Sequence, residues 1–354
     1  MPKTTPILYN KLISWYLKNK RDLPWRNSSN PYHIWLSEII LQQTRVTQGL
    51  PYYLKFLEAY PTVQDLANAS EDEILKTWQG LGYYSRARNL HATAKKVANE
   101  LNGKFPNNYT NLIKLKGVGD YTASAIASIA FNQPNAVVDG NVYRVLSRII
   151  GISTPINSTA GRKEFKLLAQ QLINKDKPGT ANQAIMEFGA RFCVPQNPDC
   201  IKCIFNESCY AFQHKKVAQL PVKLKQKPIK KRFFNYMVIL SENNKTLLQQ
   251  RLSKGIWQKL FEFPLIETQK DVTTSELEKL PQFKNFAKGK TIENITLYND
   301  KPIIHKLSHQ HLYTKFWIVY LNNSLIESIP ISDVNNYAVP TLVANFVSEF
   351  FENY

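Results

Sequence analysis

All four cysteines of this 354-residue chain fall within 17 residues, spaced Cys193-x6-Cys200-x2-Cys203-x5-Cys209. So tight a cluster cannot staple distant loops together, and it asks one short loop to close round a small inorganic centre in a reducing compartment. Zinc ribbons usually use two C-x-x-C pairs separated by a longer loop. Here one such pair is flanked by single cysteines at unequal distances. That suits a cubane, whose four corner irons each take one thiolate. Zinc stays open on spacing alone. So does a redox C-x-x-C at 200–203, although it leaves Cys193 and Cys209 without a role. The chain is long enough for about two domains. No apolar run reaches the roughly 18 residues of a membrane span, so none is expected. The opening M-P-K-T-T-P lacks the pattern of a secretory signal, and a cytoplasmic protein is expected.

The net charge of +18 is unevenly spread. Residues 1–213 hold 25 Lys/Arg against 15 Asp/Glu, residues 214–232 hold 8 basic and no acidic residues, and residues 233–354 hold 12 of each. A lysine-rich surface shaped by composition alone would be even. The bias points to a polyanion bound by the first part of the chain and the segment after it. Apolar residues recur at helical spacing in 7–17, 33–50, 83–101, 121–131, 141–150 and 160–173, so residues 1–213 are predicted to be helical. Segment 214–232, with two prolines, reads as an extended basic linker. Beyond it, 233–240, 246–251, 303–307 and 312–321 are short, β-branched and aromatic, as strands are, and 341–352 looks like a terminal helix. The second domain, 233–354, is therefore predicted to be α+β.

Segment 115–131, L-K-G-V-G-D-Y-T-A-S-A-I-A-S-I-A-F, places Gly117 and Gly119 between helical segments. Such a hairpin can be a plain interhelix turn. It can also expose backbone N–H groups at a helix N-terminus, where a phosphate binds. Twenty residues after Gly119 comes V-V-D-G-N-V, with Asp139 just ahead of a helix, where an N-cap is its ordinary use. Glu38 lies in W-L-S-E-I-I-L-Q-Q-T among Leu36, Ile39, Ile40 and Leu41. A carboxylate in such company is costly to bury ionised, so its pKa should rise toward that of a general acid at neutral pH. A solvent-facing position is the alternative.

L-x-G-V-G-x-Y-T-A, V-V-D-G-N-V-x-R-V and the cysteine pattern together resemble the helix-hairpin-helix DNA glycosylases that carry an iron–sulfur cluster. R-D-L-P-W-R at 21–26 and W-L-S-E-I-I-L-Q-Q-T-R-V at 35–46 are similar to adenine DNA glycosylases of the MutY type. The resemblance runs from about residue 7 to 350. It implies two helical lobes, one holding a 4Fe-4S cluster on the four cysteines, and a Nudix-like second domain. It implies a bacterial, nucleoid-associated monomer acting on double-stranded DNA with adenine opposite 8-oxoguanine or guanine. By resemblance Glu38 protonates N7 of the flipped adenine, Asp139 faces an oxocarbenium-like sugar, and Asn141 orients Asp139. Two carboxylates in unlike environments is the general logic of glycosidic cleavage. Tyr121 stands where endonuclease III-like enzymes carry the Schiff-base lysine, which implies a monofunctional enzyme.

Arg21, Trp25, Arg26, Leu41 and Gln183 are implied to line the adenine pocket. Gln43, Thr44, Tyr83, the hairpin Gly117-Val118-Gly119 and Lys202 are implied to contact DNA, Gln43 and Tyr83 by entering the duplex. Segment 251–264, R-L-S-K-G-I-W-Q-K-L-F-E-F-P, resembles the Nudix-like domain, but the R-E-x-x-E-E helix of Nudix hydrolases is absent from the sequence, so no pyrophosphatase activity is expected. Leu307, Ser308 and His309 match the loop that contacts 8-oxoguanine, with Leu307 in place of the family's usual Phe. A bifunctional glycosylase and lyase, a thymine or uracil mismatch glycosylase, and a non-catalytic DNA-binding module are the competing readings. Tyr121 counts against the first, the second domain and Glu38 against the second, and the two carboxylates against the third.

Overall fold

The computed structural model describes residues 5–225, 228–241, 243–322 and 328–351. Gln226 and Lys227 of the expected linker, like 352–354 of the second domain, lie outside the described residues. The chain forms a helical region followed by a sheet-containing one. Its compact units are 1–68 with 89–225, and 69–88 with 226–354.

The first unit is built from helices, among them Thr5–Asn19, Pro31–Ile40, Val46–Ala59, Asp120–Phe131, Gly140–Ile150, Thr159–Leu172 and Pro178–Arg191. Several start where the sequence offers a cap. The Asn30 side chain accepts from Tyr32 N, Ser158 from Gly161 N, and Asp139 from Asn141 N and Val142 N. The core gathers Leu12, Ala125, Val142, Leu146, Phe165, Ile185 and Phe188. Two glycines let the helix Pro178–Arg191 come close to its neighbours. A Cβ at Gly179 would lie 2.7 Å from Ser128 O, and one at Gly189 would lie 2.7 Å from the Asn141 Cβ. The second approach fixes the backbone around Asn141.

The predicted helix over 33–50 is interrupted. The chain leaves the helical path after Ile40 and resumes at Val46, with Gln43 at φ 56° between. The expected linker is not a free spacer either. Leu220 is buried, Arg148 Nε donates to Leu220 O, and Ile156 N donates to Val222 O, so 214–225 pack with the first unit.

In the second unit Lys230–Ser241 and Gln310–Leu321 run parallel in unbroken register, from Lys230 beside Gln310 to Ser241 beside Leu321. Leu265–Thr268 flanks the first of these strands. Ile292–Leu297 and Ile303–Lys306 pair with the two halves of the second, which makes a five-stranded sheet among the described residues. Alternation gives it two apolar faces. Met237, Ile239, Trp317 and Val319 pack with Leu277 and Phe283 of the helices Thr274–Lys279 and Pro281–Ala287. Phe316 stacks on Phe346 of the helix Thr341–Phe351, with centroids 4.0 Å apart. The predicted strand at 246–251 survives only as Lys245–Thr246 and Gln249–Gln250, each paired elsewhere. Segment 69–88 joins this unit through named bonds. Arg88 Nη1 donates to Gln258 O at 2.7 Å, Lys76 Nζ to Tyr337 O at 3.2 Å, and Lys259 lies 3.7 Å from Glu71. Nothing in the local pattern of 69–88 reveals these partners.

Candidate active site

Glu38, Tyr121, Asp139, Asn141 and Gln183 border one cavity of about 180 Å3 in the first unit, with Arg21, Trp25, Arg26, Leu41 and Thr44. They come from the helices Pro31–Ile40, Asp120–Phe131, Gly140–Ile150 and Pro178–Arg191, the turn after Ile40 and the segment Arg21–Arg26. Glu38 is half-buried: part of its surface opens on the cavity, while Leu36, Ile39 and Ile40 on its own helix are buried. That desolvation pushes its pKa up to about 7, aided by the Asp139 charge and opposed by a hydrogen bond from Tyr121 and the charge of Arg26. Tyr121 also bonds Met186 Sδ at 3.2 Å, and burial together with the two carboxylates holds its hydroxyl protonated far above the ordinary range.

Asp139 is the N-cap of Gly140–Ile150 as well as a wall of the cavity, so its ordinary role and its candidate catalytic one coexist. Asn141 N and Val142 N donate to Oδ1 at 2.9 and 2.8 Å, and Asn141 Nδ2 donates to Oδ2 at 2.8 Å. Burial raises its pKa, and the three N–H donors and Arg144 pull it back. Arg144 Nη2 donates to Asn141 Oδ1 at 2.8 Å, and its Nε to Cys193 O at 2.7 Å.

Glu187 was not singled out in the sequence, and it organises the opposite chemistry. It is buried, and the guanidinium of Arg21 meets it through Nε at 2.8 Å and Nη2 at 2.6 Å, with Arg26 Nη2 at 2.7 Å. These bonds outweigh burial and hold its pKa down near 2. Arg21 and Arg26, implied to line the adenine pocket, do border this cavity, with both guanidiniums paired to an anion. The signal was available, because Glu187 in N-Q-A-I-M-E-F is a carboxylate between Met186 and Phe188, the context that drew attention to Glu38. Trp25 packs edge-on to Tyr53 at 5.0 Å, so it serves the core and the cavity wall together.

The four cysteines carry no disulfide and line a second, almost wholly apolar cavity with Phe188, Phe192 and Phe212. Arg148 Nη1 lies 3.5 Å from Cys193 Sγ, and Phe205 N donates to Cys203 Sγ at 3.4 Å. Burial and the neighbouring thiols push Cys203 up to about 11. Crowded sulfurs in an apolar shell, with N–H donors aimed at two of them, fit a polynuclear cationic centre that takes one thiolate from each. Among the described residues no group of three or more His, Cys, Asp or Glu side chains is arranged to hold a metal ion.

At the hairpin, Gly117 takes φ 78°, and a Cβ there would meet Asn89 Cβ at 2.7 Å. Gly119 is the N-cap of Asp120–Phe131. Val118 is buried and its N–H is bonded to Leu115 O, so that amide is not offered outward as expected. Gln43 and Tyr83 are both exposed and both in the left-handed region, at φ 56° and 48°, a strained state common at functional loops. Lys202 is exposed beside Asp199 at 3.6 Å. In the second unit Leu307 N donates to Gln310 O, which closes the turn that carries exposed Ser308 and His309. Ser308 Oγ bonds the Tyr83 hydroxyl.

Residues 36–171 match the HhH-GPD superfamily of base excision DNA repair proteins, and 235–349 match a NUDIX domain. The adenine DNA glycosylase of Buchnera aphidicola subsp. Baizongia pistaciae is 36% identical over 338 residues, 95% of this chain and 91% of that protein. The chain belongs to the adenine DNA glycosylases. As an adenine DNA glycosylase it is a DNA repair enzyme that hydrolyses a glycosidic bond, and DNA is its substrate. The Homo sapiens adenine DNA glycosylase is 47% identical over 218 residues, 59% of this chain and 40% of its own length. Among solved structures, a thermostable thymine-DNA glycosylase superposes with a TM-score of 0.56 at 31% identity, over 60% of this chain and 98% of that one. An endonuclease III–DNA covalent intermediate superposes at 0.53 with 22% identity, over 61% and 99%, and shows the fold alone. Among the described residues no helix is long and apolar enough to cross a membrane.

Proposed function

We propose that this glycosylase removes adenine mispaired with 8-oxoguanine or guanine in double-stranded DNA. The adenine is flipped into the cavity, and Glu38 gives its proton to N7. Protonation makes adenine a leaving group, and the carboxylate of Asp139, held by Asn141, faces the positive charge that grows on the sugar. Water completes the hydrolysis. One observation carries this reading: Glu38, with a pKa near 7, shares a cavity with a second carboxylate held by three N–H donors. Two carboxyl groups in contrasting environments support an acid and a charge stabiliser. Tyr121 has no amine with which to form a Schiff base, which supports hydrolysis without strand cleavage.

Ser308 and His309, with Leu307, are proposed to read 8-oxoguanine. Gln43, Thr44 and Tyr83 would approach the duplex, and Gly119 and Lys202 the phosphates. Cys193, Cys200, Cys203 and Cys209 would hold one 4Fe-4S cluster, which supplies a rigid fold for its loop. The protein is proposed to act as a cytoplasmic, nucleoid-associated monomer. The test is incubation with duplexes that place adenine opposite 8-oxoguanine, guanine or cytosine, and thymine opposite guanine. Abasic sites should appear in the first two, and borohydride should trap little covalent complex. Excision of thymine but not adenine overturns the assignment.

A further inference from the structure

The amide of Gln183 has a donor end and an acceptor end, and either can be turned toward a base in the cavity. What grips the other end decides the matter. Behind Gln183 stands Tyr16, on the helix Thr5–Asn19, buried and 3% exposed. Its hydroxyl donates to Gln183 Oε1 at 2.6 Å. The Tyr16 ring is itself fixed, with the Arg26 guanidinium 5.5 Å from its centroid and Arg26 bonded in turn to Glu187. A carboxylate offers about four lone-pair sites. Glu187 spends them on Arg21 N and Nε at Oε1, and on Arg21 Nη2 and Arg26 Nη2 at Oε2. With that acceptor saturated, the hydrogen-bonding character of this wall depends on Gln183.

We propose that Tyr16 is a positioning residue for base selectivity: by holding Oε1, it turns the Gln183 amide N–H toward the base. The wall then offers a donor to a ring-nitrogen acceptor of adenine. Where that acceptor is N1, guanine, whose N1 carries a hydrogen, meets donor with donor, and buried groups left unpaired in this way reject a base more strongly than lost packing does. This inference rests on the reading of the cavity as the adenine pocket.

The test uses the full chain and three duplexes, with adenine, 1-deazaadenine or 3-deazaadenine opposite 8-oxoguanine. Each deaza base exchanges one ring acceptor for C–H. Single-turnover excision by the unaltered protein should fall about tenfold on one of the two, the worth of one hydrogen bond. In Tyr16→Phe that ratio should shrink to below about threefold, because the amide is free to turn. A merely structural lesion slows all three substrates in parallel and leaves the ratio intact. Gln183→Glu keeps an acceptor for Tyr16 and removes the donor, so it should abolish the ratio too, and it serves if Tyr16→Phe does not fold. A full ratio persisting in either variant overturns the inference. So does an unaltered protein that excises adenine and both deaza bases equally. An unaltered protein that leaves adenine in place removes the pocket reading itself.

Discussion

Two walls of one cavity each carry a glutamate, and the two have opposite characters. Glu38 stands among Leu36, Ile39 and Ile40 with a single tyrosine hydroxyl, and burial lifts it to about 7. Glu187 is also buried, yet two guanidiniums hold it near 2. Burial alone therefore does not decide whether a carboxyl keeps its proton. The number of charged donors within bonding distance does. One wall is set to give up a proton near neutral pH, and the other is a fixed ion cluster that shapes the cavity.

The sharpest way to break this contrast is Glu38→Gln, which keeps the shape and removes the proton donor. Single-turnover excision of adenine should drop about 10²–10⁴-fold, while mismatched duplex still binds. Near-normal excision would remove Glu38 from its role. Glu187→Gln should act on stability. It leaves Arg21 and Arg26 facing a neutral amide, and a denaturant titration should show a loss of about 3 kcal/mol, at the low end for a broken buried pair because Arg21 is partly exposed. The depressed pKa of Glu187 supplies stability that is present above about pH 4.5 and lost as pH falls toward 2. The variant's deficit should therefore fade in acid.

Glu38 works the other way. Its raised pKa costs nothing below about 4.5, and the cost grows as pH rises through 7. At pH 8 Glu38→Gln should be more stable than the unaltered protein by about 2 kcal/mol, and at pH 4 the two should melt alike. A variant both dead and destabilised at pH 8 would contradict the desolvation argument. The smallest effect is the pH slope. Excision should decline about tenfold per unit above pH 7 as Glu38 deprotonates, and Glu187→Gln, which uncovers the Arg26 charge that acts on Glu38, should move that midpoint slightly down.

Much of the first wall was readable in the sequence because its chemistry is local. Glu38 betrays itself by its apolar neighbours, Asp139 by its position ahead of a helix, and the cysteines by spacing. Glu187 has a similar local signature, but its meaning comes from Arg21 and Arg26, more than 160 residues earlier, and no periodicity connects them. The break at Leu41–Arg45 was hidden because apolar residues continue on both sides of it, at Leu41 and Val46. The split of 246–251 reflects tertiary pairing that overrides β propensity. Segment 69–88 looked like ordinary helix and turn, and only its bonds to Gln258, Tyr337 and Lys259 reveal where it belongs.

The second unit is assembled from one piece near the start of the chain and another at its end, so it cannot be completed on the ribosome when its first piece emerges. At typical elongation rates, residues 69–88 wait on the order of 10–50 s for their partners. During that interval the carbonyls of Gln258 and Tyr337, to which Arg88 and Lys76 donate in the finished protein, have not yet been made. A C-terminal fragment made by cutting the gene at the linker would lack an integral part of its own fold.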